Sequence, residues 1–150
     1  MGNAETAVSL FREEFNCSQA ILATFGPQNK LDCELALKIA TPFGGGIARM
    51  GDLCGAVTGA IMVIGLSTGM GGEKDFSKKD RAYHLTNQFI ERFIEKNKSF
   101  RCRELSGCDW NTPEGKQSAK ERDVINTICV KLVRDAAEIL ESMLDMQGAP

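Results

Sequence analysis

The sequence predicts an all-α protein, a single-domain bundle of about five helices around a buried central helix. Apolar residues recur at spacings of three and four along most of the 150 residues, which is the period of an amphipathic helix. No stretch of useful length alternates with the period of two that marks a strand. The segment 53–66 is apolar all round, as is typical of a helix at the centre of a bundle. The chain shows no repeat or linker, so residues 1–150 are interpreted as one domain.

The first two predicted helices are defined by an apolar stripe and by their end signals. Asn3 is the expected N-cap of the first, which ends at the Gly-Pro pair at 26–27. Its stripe consists of Ala4, Val8, Phe11, Phe15, Ser18, Leu22 and Phe25. A second helix is predicted over 33–41, capped by Asp32 and ended by Pro42, because proline disfavours helical geometry in the residue before it.

A glycine-rich bend at 43–51 precedes the predicted central helix. We expect Asp52 to cap this helix, which places Leu53 and Cys54 at its first two positions and its end near Leu66. Small residues at positions 55, 56, 59 and 60 form ridges that allow a neighbouring element, or a second copy of the chain, to approach closely.

Two further helices complete the bundle. A loop at 67–77 leads to a fourth helix over about 78–98. A short turn containing Cys102 and Cys108 follows, and a fifth helix is predicted from about Glu114 to Met146. Both helices carry apolar residues at helical spacing on one face, so both are expected to pack on the central helix.

Composition and charge exclude several classes of function. With 18 basic and 20 acidic side chains the net charge is −2, which gives no electrostatic reason to expect nucleic acid as a partner. The apolar run 53–66 is shorter than the roughly 20 residues that cross a bilayer, and the first residues lack the pattern of a signal peptide. We therefore expect a cytoplasmic protein without membrane contact, in which cysteines stay reduced.

The chain has six cysteines, and none is separated from another by just two residues: Cys17, Cys33, Cys54, Cys102, Cys108 and Cys129. Structural zinc sites and the common iron–sulfur sites usually take two ligands from one C-x2-C turn, and thioredoxin-like redox sites use a C-x-x-C motif. Any shared site in this chain must therefore gather cysteines from distant helices.

Two cysteines have settings that favour a thiolate. Cys54 is expected at the start of the central helix, where free backbone N–H groups and the helix dipole stabilise negative charge, and Arg49 precedes it. Cys102 lies between Arg101 and Arg103. By position alone, Cys17 and Cys129 are interpreted as core cysteines, and Cys33 and Cys108 as peripheral ones.

Five segments occur in a characteristic order. They are Asn-Cys-Ser-Gln-Ala at 16–20, Phe-Gly-Gly-Gly-Ile at 43–47, Cys-Gly-Ala-Val-Thr-Gly-Ala at 54–60, and the segments that begin at Cys102 and Cys129. Together, over about 6–140, they resemble a family of small bacterial and archaeal redox-active proteins of the C_GCAxxG_C_C type. The family name places Gly before the second Cys, whereas Gly55 follows Cys54 here.

The resemblance implies a set of functional residues. Its four cysteines correspond to Cys17, Cys54, Cys102 and Cys129, and Cys33 and Cys108 lie outside the pattern. Gly44, Gly45, Gly46 and Gly55 would support the site through their backbone. Similar modules are fused to electron-transfer proteins, for which an iron–sulfur role is suggested.

Three functions remain open from the sequence. In the first, the four cysteines converge and carry out thiol–disulfide exchange or electron transfer with a redox partner protein or a small thiol, and Cys54 is the attacking thiolate. In the second, the same four cysteines bind an iron–sulfur cluster, or less favourably zinc. In the third, the chain is a non-catalytic helical interaction protein whose cysteines lie apart. Four cysteines allow three pairings, and the sequence does not choose among them.

Overall fold

The computed structural model describes the backbone of residues 1–148 and the side chains of 1–145. This part of the chain is all-helical, which confirms the predicted class, but it contains eight α-helices rather than about five. They are α1 Asn3–Arg12, α2 Cys17–Phe25, α3 Cys33–Ala40, α4 Gly55–Thr68, α5 Phe76–Asn97, α6 Cys102–Ser106, α7 Pro113–Glu121 and α8 Val130–Gly148. Extended pairing within the described residues is limited to one antiparallel bridge between Leu53 and Arg101.

The first predicted helix is two helices, α1 and α2. Glu14 adopts a φ of 74°, which is incompatible with a continuous right-handed helix. Asn16 then starts α2 with a capping box: its side chain accepts from the Gln19 N–H at 2.9 Å, and the Gln19 side chain accepts from the Asn16 N–H at 2.9 Å. The predicted N-cap of α1 is also one residue late, since Gly2 holds that place. The apolar stripe keeps its spacing of three and four residues between α1 and α2. The sequence pattern therefore gives no sign that the helix is interrupted there.

Helix α3 matches its prediction closely, and α4 begins later than predicted. Asp32 caps α3 by accepting from the Leu35 N–H at 3.1 Å. The N-cap of α4 is Cys54 rather than Asp52. Leu53 cannot start the helix because it pairs with Arg101 in the antiparallel bridge, which requires extended backbone.

The fifth predicted helix is divided into α7, a π-helical turn over Ile125–Cys129, and α8. Thr112 caps α7 by accepting from the Gly115 N–H at 2.9 Å. Asp123, with a φ of 51°, ends the first part of the helix. Apolar spacing alone does not reveal the interruption, because residues on both sides of it face the same core.

Helix α4 lies at the centre of the bundle, as predicted, and contacts α2, α5 and α8. Gly59 permits close approach to α2, since a Cβ there would lie 2.9 Å from the Cβ of Ile21. On α5, Phe89 and Phe93 are fully buried and stack with ring centroids 6.1 Å apart. No helix in the described part of the chain has the length and apolarity needed to cross a membrane.

Candidate functional site

Four cysteines from four separate segments line one cleft of about 850 Å³. Cys17 begins α2, Cys54 caps α4, Cys102 begins α6, and Cys129 ends the π-helical turn before α8. These are the four cysteines that the sequence singled out, and the fold brings all of them to one end of the bundle. All six cysteines of the chain lie in the described part, and each is a free thiol there.

The starts of α2 and α4 meet because Gly55 has no side chain. A Cβ at Gly55 would lie 3.0 Å from the Cβ of Cys17 and 2.9 Å from the backbone nitrogen of Ser18. Such distances force neighbouring atoms to move, so glycine is what lets Cys17 and Cys54 face the same space. The side chain of Asn16, which caps α2, also contacts Gly44 closely: a Cβ there would lie 2.8 Å from its Nδ2.

The antiparallel bridge places Cys102 beside Cys54. The Cys54 N–H donates to the carbonyl of Phe100 at 2.9 Å, and the Cys102 N–H donates to the carbonyl of Asp52 at 2.7 Å. Arg101 adds an ion pair to Asp52 at 3.0 Å. Sequence patterns miss this element because a bridge of one residue pair has no period.

The glycine-rich bend forms a left-handed turn against Cys102. Five consecutive residues, 45–49, have φ between 46° and 72°, including Ile47, Ala48 and Arg49. Each of these three non-glycine residues costs roughly 1–2 kcal/mol in that geometry. Gly46 is required twice over, because its φ is 72° and a Cβ would lie 2.6 Å from the Cβ of Cys102. The strain is concentrated at the cleft, where strained backbone commonly serves function.

Cys17 and Cys129 form a polarised pair of thiols. The interaction between their side chains, together with burial, raises the pKa of Cys17 well above its ordinary value. The same interaction lowers the pKa of Cys129, against the opposing effect of its burial. Opposite shifts of this kind are what a hydrogen bond from the Cys17 S–H to the Cys129 sulfur produces, so Cys129 is the thiol of the pair that we expect to ionise first. The π-helical turn that ends at Cys129 is a type of interruption often found at functional sites.

The prediction that Cys54 has the most favourable setting for a thiolate is wrong on balance. The backbone N–H groups of Ala56 and Val57 do lower its pKa, as expected at a helix start, but burial outweighs them and raises the pKa to about 12. Only 3% of Cys54 is exposed. Burial likewise raises the pKa of Cys102 to about 11, with further contributions from the charges of Cys129 and Cys108.

The side chains of the cleft do not form a preorganised metal site. Within residues 1–145, no three or more His, Cys, Asp or Glu side chains are arranged to hold a metal ion. Zinc takes four ligands on a single ion, so the zinc alternative does not fit this geometry. The four-cysteine iron–sulfur alternative has its thiols around one cleft but lacks a preformed ligand arrangement.

The two remaining cysteines differ from each other. Cys33 is exposed at the start of α3, as its peripheral interpretation predicts. Cys108 is buried, with 6% of its surface exposed, and its charge raises the pKa of Cys102. The peripheral interpretation of Cys108 is therefore wrong. Its position after Gly107 resembled a surface turn, and the sequence shows no apolar period there to indicate burial.

Comparison with known proteins gives one result. Residues 15–143 match the model of a family described as "Putative redox-active protein (C_GCAxxG_C_C)". No curated protein and no solved structure shows a significant match to the chain. The matched range contains all four cysteines of the cleft.

Proposed function

This chain belongs to the family described as "Putative redox-active protein (C_GCAxxG_C_C)", and from that premise we propose that it performs thiol–disulfide exchange through Cys17 and Cys129. We call these two residues the first dithiol. The observation that carries the proposal is that both thiols line the same cleft, where the interaction between them lowers the pKa of Cys129. The thiolate is the nucleophile in such exchange, so the member of the pair that ionises first is the one that attacks.

The exchange begins at Cys129 and ends with a disulfide in the protein. The Cys129 thiolate attacks one sulfur of a substrate disulfide, the substrate S–S bond breaks, and the departing thiolate takes up a proton. Cys17 then loses its proton and attacks the Sγ of Cys129, which releases the second substrate thiol. Two electrons pass from the first dithiol to the substrate, and an external dithiol of the cell restores the reduced protein.

The site suits a disulfide that reaches the cleft from solvent. Its volume of about 850 Å³ lies within the range of pockets that hold small molecules. A small disulfide or a flexible cysteine-containing loop of a partner protein is therefore the proposed substrate class. Cys54 and Cys102 line the same cleft as the first dithiol.

The convergence of the four cysteines also argues against the non-catalytic alternative. Incidental cysteines have no reason to lie around one cleft, and the strained turn at 45–49 borders that cleft through Gly45, Gly46, Ala48 and Arg49. A protein that only binds a partner through its helices would need neither four cysteines around one cleft nor the strained backbone at 45–49.

The proposal is tested by counting thiols after oxidation with glutathione disulfide. The wild-type protein should lose two thiols in its first step as the internal disulfide forms. Cys17→Ser and Cys129→Ser should not form it, and Cys129→Ser should also react slowly. Cys33→Ser is the matched control, because Cys33 is exposed and lies outside the cleft. If Cys129→Ser still formed the first internal disulfide at the wild-type rate, the proposal would be overturned.

A further inference from the structure

Cys108 is a buried thiol outside the family pattern that the proposed exchange does not use. It lies two residues after the end of α6. The Sγ of Cys108 lies 3.3 Å from the Oγ of Ser106, and the Cys108 N–H donates to the same oxygen at 3.3 Å.

Ser106 joins Cys108 to the cleft. Cys102 and Ser106 are four residues apart on α6, so their side chains lie on the same face of the helix. The Ser106 hydroxyl lowers the pKa of Cys102, and it donates to the carbonyl of Cys108 at 3.4 Å. Gly107, with a φ of 67°, ends α6 and reverses the chain so that Cys108 returns to the same hydroxyl. The Ser106 side chain thus lies one helical turn from Cys102 and 3.3 Å from the Cys108 thiol.

We propose that Cys102 and Cys108 form a second dithiol, which receives the disulfide from the first. This inference rests on the proposed function, since it needs Cys17 and Cys129 to become oxidised. Cys102 lines the cleft beside the first dithiol, whereas Cys108 does not line it. Cys102 is therefore the member that receives the disulfide, and Cys108 is the member that resolves it.

The transfer takes two exchanges and needs no further reagent. In the first, the Cys102 thiolate attacks the Sγ of Cys129 in the oxidised first dithiol, a Cys102–Cys129 disulfide forms, and Cys17 leaves and takes up the proton that Cys102 lost. In the second, Cys108 loses its proton and attacks the Sγ of Cys102, and Cys129 leaves and takes up that proton. The first dithiol is reduced by two electrons, and the second is oxidised by two.

The consequence is that the protein stores two disulfides. After one transfer the first dithiol can oxidise again, and the fully oxidised protein keeps only Cys33 and Cys54 as thiols. In the second exchange, the Cys108 side chain replaces the Ser106 hydroxyl beside Cys102. The Cys108 thiol already lies 3.3 Å from that hydroxyl.

Tryptic mapping tests this directly, because each of the six cysteines lies on a different tryptic peptide. After full oxidation and blocking of free thiols, we expect peptide 102–103 to be cross-linked to 104–116 and peptide 13–30 to be cross-linked to 123–131. A cross-link of 102–103 to 50–74, which contains Cys54, would overturn the inference. So would the 13–30 to 123–131 cross-link alone, while the proposed function would stand. Absence of that second cross-link at every stage of oxidation would overturn the proposed function itself.

A variant supplies an independent measurement. Cys108→Ser should lose two thiols on full oxidation where the wild type loses four, and Cys33→Ser should lose four. An undiminished loss in Cys108→Ser would overturn the inference. The wild-type map keeps the test valid if Cys108→Ser folds poorly, because it needs no substitution.

Discussion

Replacing Cys17 with alanine or with serine separates its role as a hydrogen-bond donor from its role as a disulfide partner. Both variants abolish the Cys17–Cys129 disulfide, but serine keeps an O–H donor and alanine keeps none. The bond from Cys17 is the main cause of the lowered pKa of Cys129, and burial opposes it. In Cys17→Ala, burial acts alone, so the pKa of Cys129 should rise above its ordinary value of 9.0.

The size of the shift follows from the strength of the lost bond. A hydrogen bond to a charged group contributes roughly 1.5–3 kcal/mol, which corresponds to roughly 1–2 pKa units. A thiolate of higher pKa is also intrinsically more nucleophilic, with a Brønsted coefficient of about 0.5, so the rate near neutral pH should fall by only about 3–10-fold. The midpoint of the pH–rate profile is therefore the more sensitive quantity.

The assay is iodoacetamide labelling followed over pH and quantified on tryptic peptide 123–131, which carries Cys129. Peptide 31–38, which carries the exposed Cys33, serves as the internal standard. We expect the midpoint for Cys129 to move upward by about 1–2 units in Cys17→Ala and to stay near the wild-type position in Cys17→Ser. Equal midpoints in wild type and Cys17→Ala would refute the assignment of Cys129 as the polarised thiolate.

Three further substitutions test the packing and electrostatics around the cleft. Gly46→Ala should destabilise the fold by about 2–4 kcal/mol in denaturant unfolding, because it adds a strained φ and a clash with Cys102. An unchanged midpoint of denaturant unfolding would contradict the close approach of Gly46 to Cys102. Gly65→Ala, on α4 with nothing within 4 Å of its new Cβ, should instead stabilise by about 0.5–1 kcal/mol. The unfolded state releases the Cys54 proton near pH 9.0 and the folded state near a pKa of about 12, so stability should fall across that interval as pH rises. Cys54→Ala should make this fall shallower by about 1.4 kcal/mol per pH unit, and an identical slope would contradict the burial of the neutral thiol.

Capping residues and apolar patterns in the sequence predicted those helices whose position depends on nearby residues alone. Asp32 as the cap of α3 and the apolar character of α4 were sufficient to place those helices. The break at Glu14 escaped prediction because a φ of 74° in a glutamate leaves no compositional trace. The later start of α4 also escaped, since Leu53 is extended by pairing with Arg101, which lies far away in the sequence.

In the site, too, some features could be predicted from nearby sequence, whereas others arise only from tertiary packing. The four cysteines of the cleft were identified from their sequence contexts together with the family resemblance. Their chemistry was not, because a pKa depends on the balance between burial and hydrogen bonds that only the assembled fold defines. The helix start does favour a thiolate at Cys54, but burial has the larger effect. At Cys129 a hydrogen bond from another helix has the larger effect. Cys108 was interpreted as peripheral for the same reason, since its burial arises from tertiary packing.

The most direct measurement is a redox titration of protein purified under anaerobic conditions, with thiols, iron, sulfide and zinc assayed on the same sample. Equilibration against a glutathione buffer of increasing potential should remove two thiols in a first step with a two-electron slope, from a colourless protein without stoichiometric metal. In Cys129→Ser, tryptic peptide 13–30, which carries Cys17, should stay free of cross-links through this step. Stoichiometric iron and sulfide, with absorbance between roughly 320 and 600 nm that is lost in the same variant, would contradict the thiol exchange and assign the cysteines to a cluster.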